Sequence, residues 1–273
     1  MKPLVLTVTL NPAIDKTVVI PHFSKGKDFR ERSLSVSPGG KGINVSRSLN
    51  SLGIKNIATG LLGGHDGNYI LNELKKEKIK NKFLKIRENT RTSLTIIDPA
   101  DKTLTRVMER GPLVTKKELD EFKKIFADLL KKACFVVLSG RSIPGASEHF
   151  YSVLIKMAKQ KNIPAILDTS GTPYLKGIEN KPFMIKPNLK EAEFITGKEL
   201  KTPADIKKAA LKLRQNGIKI VTISMGSKGA LVWDGERMIM GTPPRVKRKS
   251  PVGCGDSFIA GFLSSYLRGK EIP

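Results

Sequence analysis

The stretch Phe135-Val136-Val137-Leu138-Ser139 is apolar over four consecutive residues, and a segment of helical periodicity at 148–161 follows it. A strand without polar alternation is typical of a parallel sheet that lies between two layers of helices. Similar apolar runs alternate with helix-period segments along the whole chain. The alternation predicts βαβ units and an α/β fold, with a mostly parallel central sheet and helices on both of its faces.

The same patterns predict the other elements. Strands are expected at 4–10, 57–62, 165–168, 184–186 and 220–225, and helices at 42–52, 67–76, 116–131, 204–215 and 255–267. Two pairs of short strands interrupt the alternation, at 17–20 with 32–37 and at 92–98 with 103–109. They predict a small β-sheet lid, built from about 16–37 and 91–109 within a single domain, or ordinary edge strands. Because parallel sheets bind ligands beyond the carboxyl ends of their strands, we expect the functional residues in the loops that follow the strands.

Composition limits the possible functions. The 273 residues are 39% hydrophobic, which is enough for one large domain, and no apolar run approaches the roughly 20 residues of a membrane span. Without a signal-like N-terminus, a cytoplasmic protein with no membrane partner is predicted. Two cysteines do not make a disulfide framework or a zinc cluster. The net charge of +24 fits either attraction to phosphorylated anions or solvated lysines on helices, and it does not predict nucleic-acid binding as a main function.

The loop at 250–257, Ser-Pro-Val-Gly-Cys-Gly-Asp-Ser, opens the last predicted helix. Its small residues Gly253, Cys254 and Gly255 allow the backbone to approach a ligand closely. The N-terminus of a helix favours an anion, such as a phosphoryl group in transfer. Asp256 stands at the same point, so it is either a base that accepts a proton from an attacking hydroxyl or only the N-cap of the helix.

Three other loops carry candidate residues. Residues 38–46, Pro-Gly-Gly-Lys-Gly-Ile-Asn-Val-Ser, either offer a charge and an amide to a ligand or form a tight loop with a solvated lysine. In the second loop, Asn188 and Glu191 either hold Mg²⁺ through water or form a capping box. The third, at 224–230, either cradles nucleotide phosphates or is a hairpin. None of these loops matches a P-loop or a dinucleotide fingerprint.

Taken in this order, the loops resemble those of the PfkB family of carbohydrate kinases, whose fold is ribokinase-like. The resemblance begins at Asn11-Pro12-Ala13-Ile14-Asp15, which follows Thr9-Leu10. It continues through 39–46, 139–140, 186–191, 224–230 and 252–257, and so covers essentially the whole chain. The Asn-Pro-Ala-Ile-Asp opening and the Gly-Gly-Lys-Gly form are most similar to the hexose-phosphate branch. That branch includes 1-phosphofructokinase, tagatose-6-phosphate kinase and the minor 6-phosphofructokinase.

The resemblance implies ATP-dependent phosphorylation of a hexose phosphate. Fructose 1-phosphate is the leading substrate, and tagatose 6-phosphate and fructose 6-phosphate are the alternatives. A protein of another class, an inactive binder of sugar phosphates or nucleic acid, also stays open. The family resemblance further implies a homodimer that forms through the lid.

The resemblance also implies a role for each matching residue. Asp256 would be the catalytic base, beside an anion hole formed by the amides of Gly253, Cys254 and Gly255. The sugar phosphate would be bound by Asp15, Lys27, Gly39, Gly40, Lys41, Asn44, Arg91 and Ser139. ATP would be bound by Lys186, Asn188, Ser224, Gly226, Ser227 and Gly229. Mg²⁺ would be held through Asn188 and Glu191, and a monovalent cation such as K⁺ by carbonyls near Ser250 and Val252.

Three features depart from the family pattern. Arg141 stands where the family has a small residue beside the sugar site, which bears on the identity of the substrate. Cys254 stands where alanine is common, a change of little consequence. The sequence stops at Pro273, where relatives continue past the last helix. We therefore expect a chain truncated at its C-terminal end.

Overall fold

The computed structural model of the chain describes residues 3–244 and 253–269. Its strands are β1 Val5–Thr9, β2 Ala13–Val19, β3 Ser33–Gly39, β4 Asn56–Gly63, β5 Asn81–Ile86, β6 Arg91–Asp98, β7 Thr103–Met108, β8 Phe135–Ser139, β9 Ala165–Asp168, β10 Met184–Ile185, β11 Ile220–Ser224, β12 Ala230–Trp233 and β13 Met238–Gly241. Its helices are α1 Lys41–Ser51, α2 Gly64–Lys76, α3 Lys116–Leu130, α4 Phe150–Gln160, α5 Thr172–Ile178, α6 Leu189–Thr196, α7 Pro203–Gln215 and α8 Cys254–Tyr266. None of these helices combines the length and the apolar character that crossing a bilayer requires.

A nine-stranded central sheet has the order β13-β12-β11-β10-β9-β8-β1-β4-β5. The seven strands from β11 to β5 are parallel, and β12 and β13 add an antiparallel edge. The strand β8, on which the fold prediction rested, lies in the interior of the sheet and is buried at every position. The predicted α/β class and parallel sheet are therefore confirmed.

Helices cover both faces of this sheet. On one face, Phe122 of α3 and Tyr151 of α4 belong to a large apolar cluster that also receives side chains from α6 and α7. On the other face, Val45 of α1 and Leu263 of α8 pack over the centre of the sheet, and Ile70 of α2 packs nearer its β5 edge. Each helix buries one apolar stripe against the sheet, as its sequence period requires. The two helices α1 and α8 therefore lie side by side on the same face.

A separate four-stranded sheet, here called the lid, has the order β3-β2-β6-β7. Both predicted ribbons are present as antiparallel pairs, and a parallel contact between β2 and β6 joins them. Within the lid, the carboxylate of Asp98 at the end of β6 accepts hydrogen bonds from the amides of His22 and Phe23, which follow β2, at 3.0 and 2.8 Å. Strand β3 ends at Gly39, immediately before α1. The lid therefore leads directly into the edge of the central sheet where its parallel strands end.

Several boundaries differ from those predicted. Helix α2 begins at Gly64 rather than at residue 67, and α4 begins at Phe150 rather than at 148. Strand β5 and helix α5 were not predicted at all. Seven residues are too few to show a helical period in α5, although Pro173 in its first turn is a start signal that sequence reasoning can use.

Candidate active site

The contact between α1 and α8 brings two predicted site residues together. Their serines Ser48 and Ser257 have hydroxyl oxygens 3.1 Å apart. One turn away, Asn44 Nδ2 donates to Asp256 Oδ2 at 2.9 Å. Gly253 is the N-cap of α8, and Asp256 is the third residue of the helix. The interpretation of Asp256 as only an N-cap is therefore wrong, because its carboxylate is turned towards the neighbouring helix.

The carboxylate of Asp256 is held in a poorly solvated place. The residue is only 5% exposed. Burial raises the pKa of Asp256 to about 6, and the charge of Asp168 acts in the same direction. The hydrogen bond from Asn44 and the positive charges of Lys41 and Lys186 oppose this rise. A carboxylate with a pKa near neutrality is well suited to accept a proton from a hydroxyl and to release it again.

Two lysines converge on one buried carboxylate beside this helix end. Asp168 is the last residue of β9, and its Oδ1 lies 3.2 Å from Nζ of Lys41 and 3.5 Å from Nζ of Lys186. Its other oxygen, Oδ2, is buried without a hydrogen-bond partner among the described residues. Sequence reasoning treated Asp168 only as the end of a strand. The signal was a charged residue at the carboxyl end of a buried run, Ala-Ile-Leu-Asp.

Both lysines are placed to favour an anion at the first turn of α8. A Cβ atom added to Gly255 would lie 3.0 Å from Nζ of Lys186, so this ammonium group rests against the backbone of the turn. Burial opposes the charge of Lys41, but Asp168 and Glu191 raise the pKa of Lys41 above its ordinary value. The positive end of the helix and two ammonium groups therefore act on the same small volume.

The capping box at the start of α6 is present. Asn188 Oδ1 accepts from the Glu191 amide at 3.0 Å, and Glu191 Oε2 accepts from the Asn188 amide at 2.9 Å. The second oxygen of Glu191, Oε1, lies 4.0 Å from Nζ of Lys41. Burial raises the pKa of Glu191, and the charge of Lys41 opposes that rise. The capping hydrogen bond thus uses one carboxylate oxygen of Glu191, and the other oxygen faces the ammonium group of Lys41.

The donor set suits a magnesium ion that arrives with phosphates. Within residues 3–244 and 253–269, no three or more His, Cys, Asp or Glu side chains are grouped as a preformed metal site. Two carboxylates flank Lys41: that of Asp168, whose Oδ2 has no hydrogen-bond partner among the described residues, and that of Glu191, through Oε1. Mg²⁺ usually takes one or two protein carboxylates and completes its shell with water and substrate phosphates. These two carboxylates fit that requirement.

The glycines before α1 allow close packing between the lid and the central sheet. A Cβ atom on Gly39 would overlap the carboxylate of Asp15, which lies across the β2–β3 pair. Gly40 has a φ of 124°, and a Cβ atom there would lie 2.6 Å from the side chain of Thr9. Burial raises the pKa of Asp15, although the charges of nearby arginines, Arg91 first among them, oppose the rise. Asp15 and the glycine pair therefore form one compact surface at the base of the lid.

Arg91 is tied to the loop that follows β8. Its Nε donates to Asn11 Oδ1 at 3.0 Å, and Asn11 Nδ2 donates to the carbonyl of Ser142 at 3.2 Å. Burial lowers the pKa of Arg91, and the positive charge of the exposed Arg141 lowers it further. The negative charge of Asp15 opposes this decrease. Two guanidinium charges thus act near the base of the lid.

The remaining predicted residues are distributed unevenly. Ser139 ends β8 opposite Asp168 in the sheet register, and its hydroxyl is buried without a partner in the described part of the chain. Lys27 is exposed in the connection between β2 and β3, at the opposite end of those strands from Gly39, and the structure does not bring it to the other residues. Ser250 and Val252, predicted to hold a monovalent cation, lie outside the described residues.

A largely apolar cavity of about 630 Å³ opens beside the first turns of α8. Three residues of the predicted phosphate loop line this cavity: Ser224, Gly226 and Gly229. Ser227 is exposed in the 3-10 turn Gly226–Lys228 and does not line the cavity. The loop is also the hairpin between β11 and β12, as one of the two sequence interpretations expected, and its role in binding nucleotide phosphates stays a prediction. The volume is in the range of small-molecule and cofactor sites.

Residues 8–273 of the chain match the pfkB family of carbohydrate kinases. The chain belongs to that family. It is 34% identical over 269 residues to a tagatose-6-phosphate kinase from Staphylococcus epidermidis, a match that covers 97% of this chain and 86% of the relative. Membership makes the protein a kinase whose phosphoryl acceptor is an alcohol group of a carbohydrate.

Solved structures of this kinase family superpose closely. Phosphofructokinase-2 from Escherichia coli, solved with fructose 6-phosphate, has a TM-score of 0.92 at 27% identity, covering 100% of this chain and 89% of its own. The same enzyme has also been solved with potassium, at a TM-score of 0.91. A protein from Thermotoga maritima described as a possible 1-phosphofructokinase has a TM-score of 0.86 at 31% identity, covering 97% of this chain and 85% of its own. The predicted ribokinase-like fold is therefore confirmed.

Proposed function

We propose that this kinase transfers the γ-phosphoryl group of ATP to the free primary hydroxyl of a ketohexose monophosphate. The first candidate is fructose 1-phosphate, which would give fructose 1,6-bisphosphate and ADP. One observation carries the proposal: the buried carboxylate of Asp256 lies in the first turn of α8, hydrogen-bonded to Asn44, beside two ammonium groups and an apolar cavity.

The nucleotide end of the site is the apolar cavity. Phe258, Phe262 and Tyr266 of α8 line it, and aromatic side chains of this kind can hold a purine base. The same cavity reaches Gly255 in the first turn of α8 and Ser224 at the end of β11. We infer that the base enters the cavity and that the phosphates approach the helix N-terminus, where the backbone amides and Lys186 attract negative charge.

The acceptor end of the site uses Asp256 as the base. Above pH 6 its carboxylate is mostly ionised and can take the proton of the substrate hydroxyl as that oxygen attacks the phosphoryl group. The Asn44 amide fixes the orientation of the carboxylate. Lys41 and Lys186 then stabilise the charge that is distributed over the phosphoryl oxygens in the transition state. Magnesium, held through Asp168 and Glu191, would supply further neutralisation of the phosphate charge.

The existing phosphate of the substrate would be bound at the base of the lid. Arg91 and Arg141 are two cations on this side of the site, and their mutual repulsion is relieved by a dianion. Asp15, next to Gly39, would accept hydrogen bonds from sugar hydroxyls. This arrangement favours a phosphorylated sugar over a neutral one, which supports the hexose-phosphate branch.

Fructose 1-phosphate, tagatose 6-phosphate and fructose 6-phosphate all remain candidates within this proposal. Each carries one phosphate and one free primary hydroxyl at the opposite end, so the site geometry above suits all three. Similarity of 34% to the tagatose-6-phosphate kinase supports tagatose 6-phosphate as the second candidate. The similarity of 31% to the Thermotoga protein is too close to that value to decide between the two sugars.

The exposed face of the lid supports the proposed homodimer. Leu34 and Val36 of β3 and Val107 of β7 are large apolar residues that the strand pairing places on the same face of the lid, and Leu34 and Val107 are 55% and 57% exposed. Clustered exposed apolar side chains on a small sheet usually mark a protein interface. A second copy of the chain presents the same face, so two lids can cover each other. The E. coli relative is described in a tetrameric form, which supports self-association in this kinase family.

The test is ADP release across the three sugar phosphates and the corresponding unphosphorylated sugars, with Mg²⁺ present. The proposal requires turnover with a phosphorylated ketohexose and at least about a hundredfold lower kcat/KM with the neutral sugar, as expected for loss of a desolvated ion pair. Asp101→Asn, in an exposed turn of the lid, is the matched control for Asp256→Asn. Binding of sugar phosphate without ADP release by the unaltered protein would instead indicate an inactive binding protein.

A further inference from the structure

A second concave site lies at the end of the sheet opposite the candidate active site. This cleft has a volume of about 1100 Å³. It is lined by Ile57 near the start of β4, by Asn81 at the start of β5, and by the C-terminal ends of α2 and α3. The catalytic residues follow the carboxyl ends of the parallel strands, whereas this cleft borders their amino ends. Nothing in the proposed kinase reaction uses it.

Six lysines line the cleft, here called the basic cleft: Lys75, Lys78, Lys80, Lys82, Lys131 and Lys132. All six are exposed. Among the lining residues of the described chain, Asp128 is the single carboxylate, and it pairs with Lys131 at 2.8 Å. Within the described residues, no carboxylate oxygen lies within 4.0 Å of the other five ammonium groups. The cleft therefore holds a large excess of positive charge in a small volume.

Lys80, Lys82, Lys131 and Lys132 lie on the α3 side of the sheet, and Lys75 and Lys78 line the cleft from the end of α2. In β5, Leu84 packs into the apolar cluster on the α3 side of the sheet. Because side chains alternate along a strand, Lys82, and Lys80 just before the strand, point to the same side as Leu84. Lys131 and Lys132 approach from the end of α3. The charges of Lys82 and Lys132 also act on Asp128, which agrees with this placement.

Two structural explanations account for single lysines but not for the group. Lysines near the C-terminal ends of α2 and α3 complement the helix dipoles. Lysines on β5, the edge strand of the sheet, discourage pairing with another chain. Neither effect requires the ammonium groups to line a shared concavity with only one acid in it. Mutual repulsion among them lowers stability unless an anion is bound.

We propose that the basic cleft binds a small anion with several closely spaced phosphate groups, such as a short polyphosphate chain. The ammonium group of lysine is a compact point charge that binds phosphate without the planar, bidentate geometry of an arginine. The described lining contains no aromatic residue or arginine on which bases could stack, which disfavours single-stranded nucleic acid. The surface is concave, whereas a membrane-binding surface has to place an apolar face in the bilayer, so a membrane is disfavoured.

The experiment is a lysine-acylation footprint of the full chain, read by mass spectrometry with and without tripolyphosphate. Because the readout is resolved by residue, binding at the nucleotide site cannot be mistaken for binding at the cleft. Lys75, Lys78, Lys80, Lys82 and Lys132 should be protected. Three exposed lysines elsewhere, Lys198, Lys207 and Lys208, should react equally in both samples.

The affinity test compares two triple variants of equal net charge. Lys78→Glu/Lys80→Glu/Lys82→Glu should weaken tripolyphosphate binding at the cleft at least about tenfold, because three attractive contacts become repulsive. Lys198→Glu/Lys207→Glu/Lys208→Glu should change it less than about twofold, and both variants should keep the kinase activity of the unaltered protein.

Equal protection of all exposed lysines, or an equal loss of affinity in both variants, would overturn the proposal in favour of a general effect of net charge. Protection of the cleft by a short single-stranded RNA or by anionic phospholipid vesicles, at concentrations where tripolyphosphate gives none, would show that the chosen occupant is wrong. The footprint of the unaltered protein decides the question even if a triple variant does not fold.

Discussion

Replacement of Asp256 by asparagine should abolish turnover and, at the same time, stabilise the fold. Asparagine keeps the size of the side chain and an oxygen that can accept the hydrogen bond from Asn44. It cannot accept the proton of the substrate hydroxyl. Loss of a general base lowers rates by roughly two to four orders of magnitude, so kcat should fall by about that amount while ATP still binds.

The gain in stability follows from the pKa of the buried carboxyl. The folded protein raises the pKa of Asp256 from 3.8 to about 6, so the folded state holds its proton more tightly than the unfolded chain does. The stabilising effect of protonation is complete below pH 3.8 and is lost as the pH rises through about 6. At pH 8 the ionised carboxylate therefore costs about 3 kcal/mol, since one pKa unit corresponds to about 1.4 kcal/mol. Asparagine, which is always neutral, avoids this cost.

The assay is thermal unfolding of both proteins at two pH values. A chain of this size gains roughly 2–4 °C in Tm per kcal/mol, so Asp256→Asn should melt roughly 6–12 °C higher at pH 8. At pH 5 the carboxyl of the unaltered protein is mostly protonated, and by the same linkage the difference should shrink to about half. In the unaltered enzyme, kcat/KM should fall about tenfold per pH unit below pH 6, because the base becomes protonated.

Two results would refute this reasoning. Turnover of Asp256→Asn within tenfold of the unaltered enzyme would mean that another group accepts the proton. A variant that is less stable at pH 8 would mean that the carboxylate is favourably paired, rather than desolvated, in the folded state. Asp101→Asn should show neither effect, which controls for the general loss of one negative charge.

Three further predictions test other parts of the site. Gly39→Ala should raise the KM for the sugar phosphate at least tenfold and leave the KM for ATP nearly unchanged in steady-state kinetics, because the new Cβ displaces the Asp15 carboxylate. Asp168→Asn should raise the Mg²⁺ concentration needed for half-maximal activity, measured by magnesium titration; an unchanged requirement would remove Asp168 from the metal site. Val107→Glu should convert a dimer to a monomer in size-exclusion chromatography with light scattering, whereas the same change at the exposed Val153 of α4 should not.

Local patterns were sufficient for the architecture and for locating the loops that the proposed function uses. The apolar run at 135–139 indicated a buried parallel strand, and the structure places that strand in the interior of the sheet. Glycines followed by Asp256 indicated an anion-binding helix start. These features depend on residues close together in the chain, so the sequence reports them directly. Boundaries were less accurate: α2 begins three residues before its predicted start, and α4 begins two residues after it.

Contacts between distant segments could not be read in this way. Asp168 looked like the end of a strand, and only the folded chain brings Lys41, at the start of α1, and Lys186, just after β10, to its carboxylate. The parallel pairing of β2 with β6, which completes the lid, likewise joins residues that are more than seventy positions apart. The basic cleft is a further case, since six lysines from separate elements were indistinguishable from solvated helix surface until the fold grouped them.

By itself, the sequence determined most of the helices and strands, which loops contain the candidate glycines, and which kinase family the chain resembles. Hydrophobic periodicity and turn-forming residues are local properties, because they depend on residues that are close together in the sequence. Only the tertiary structure decided which charged side chains lie close to one another. The pKa of Asp256, the pairing of two lysines with Asp168 and the position of Lys27 away from the site depend on burial and on distances through space, which no local pattern contains.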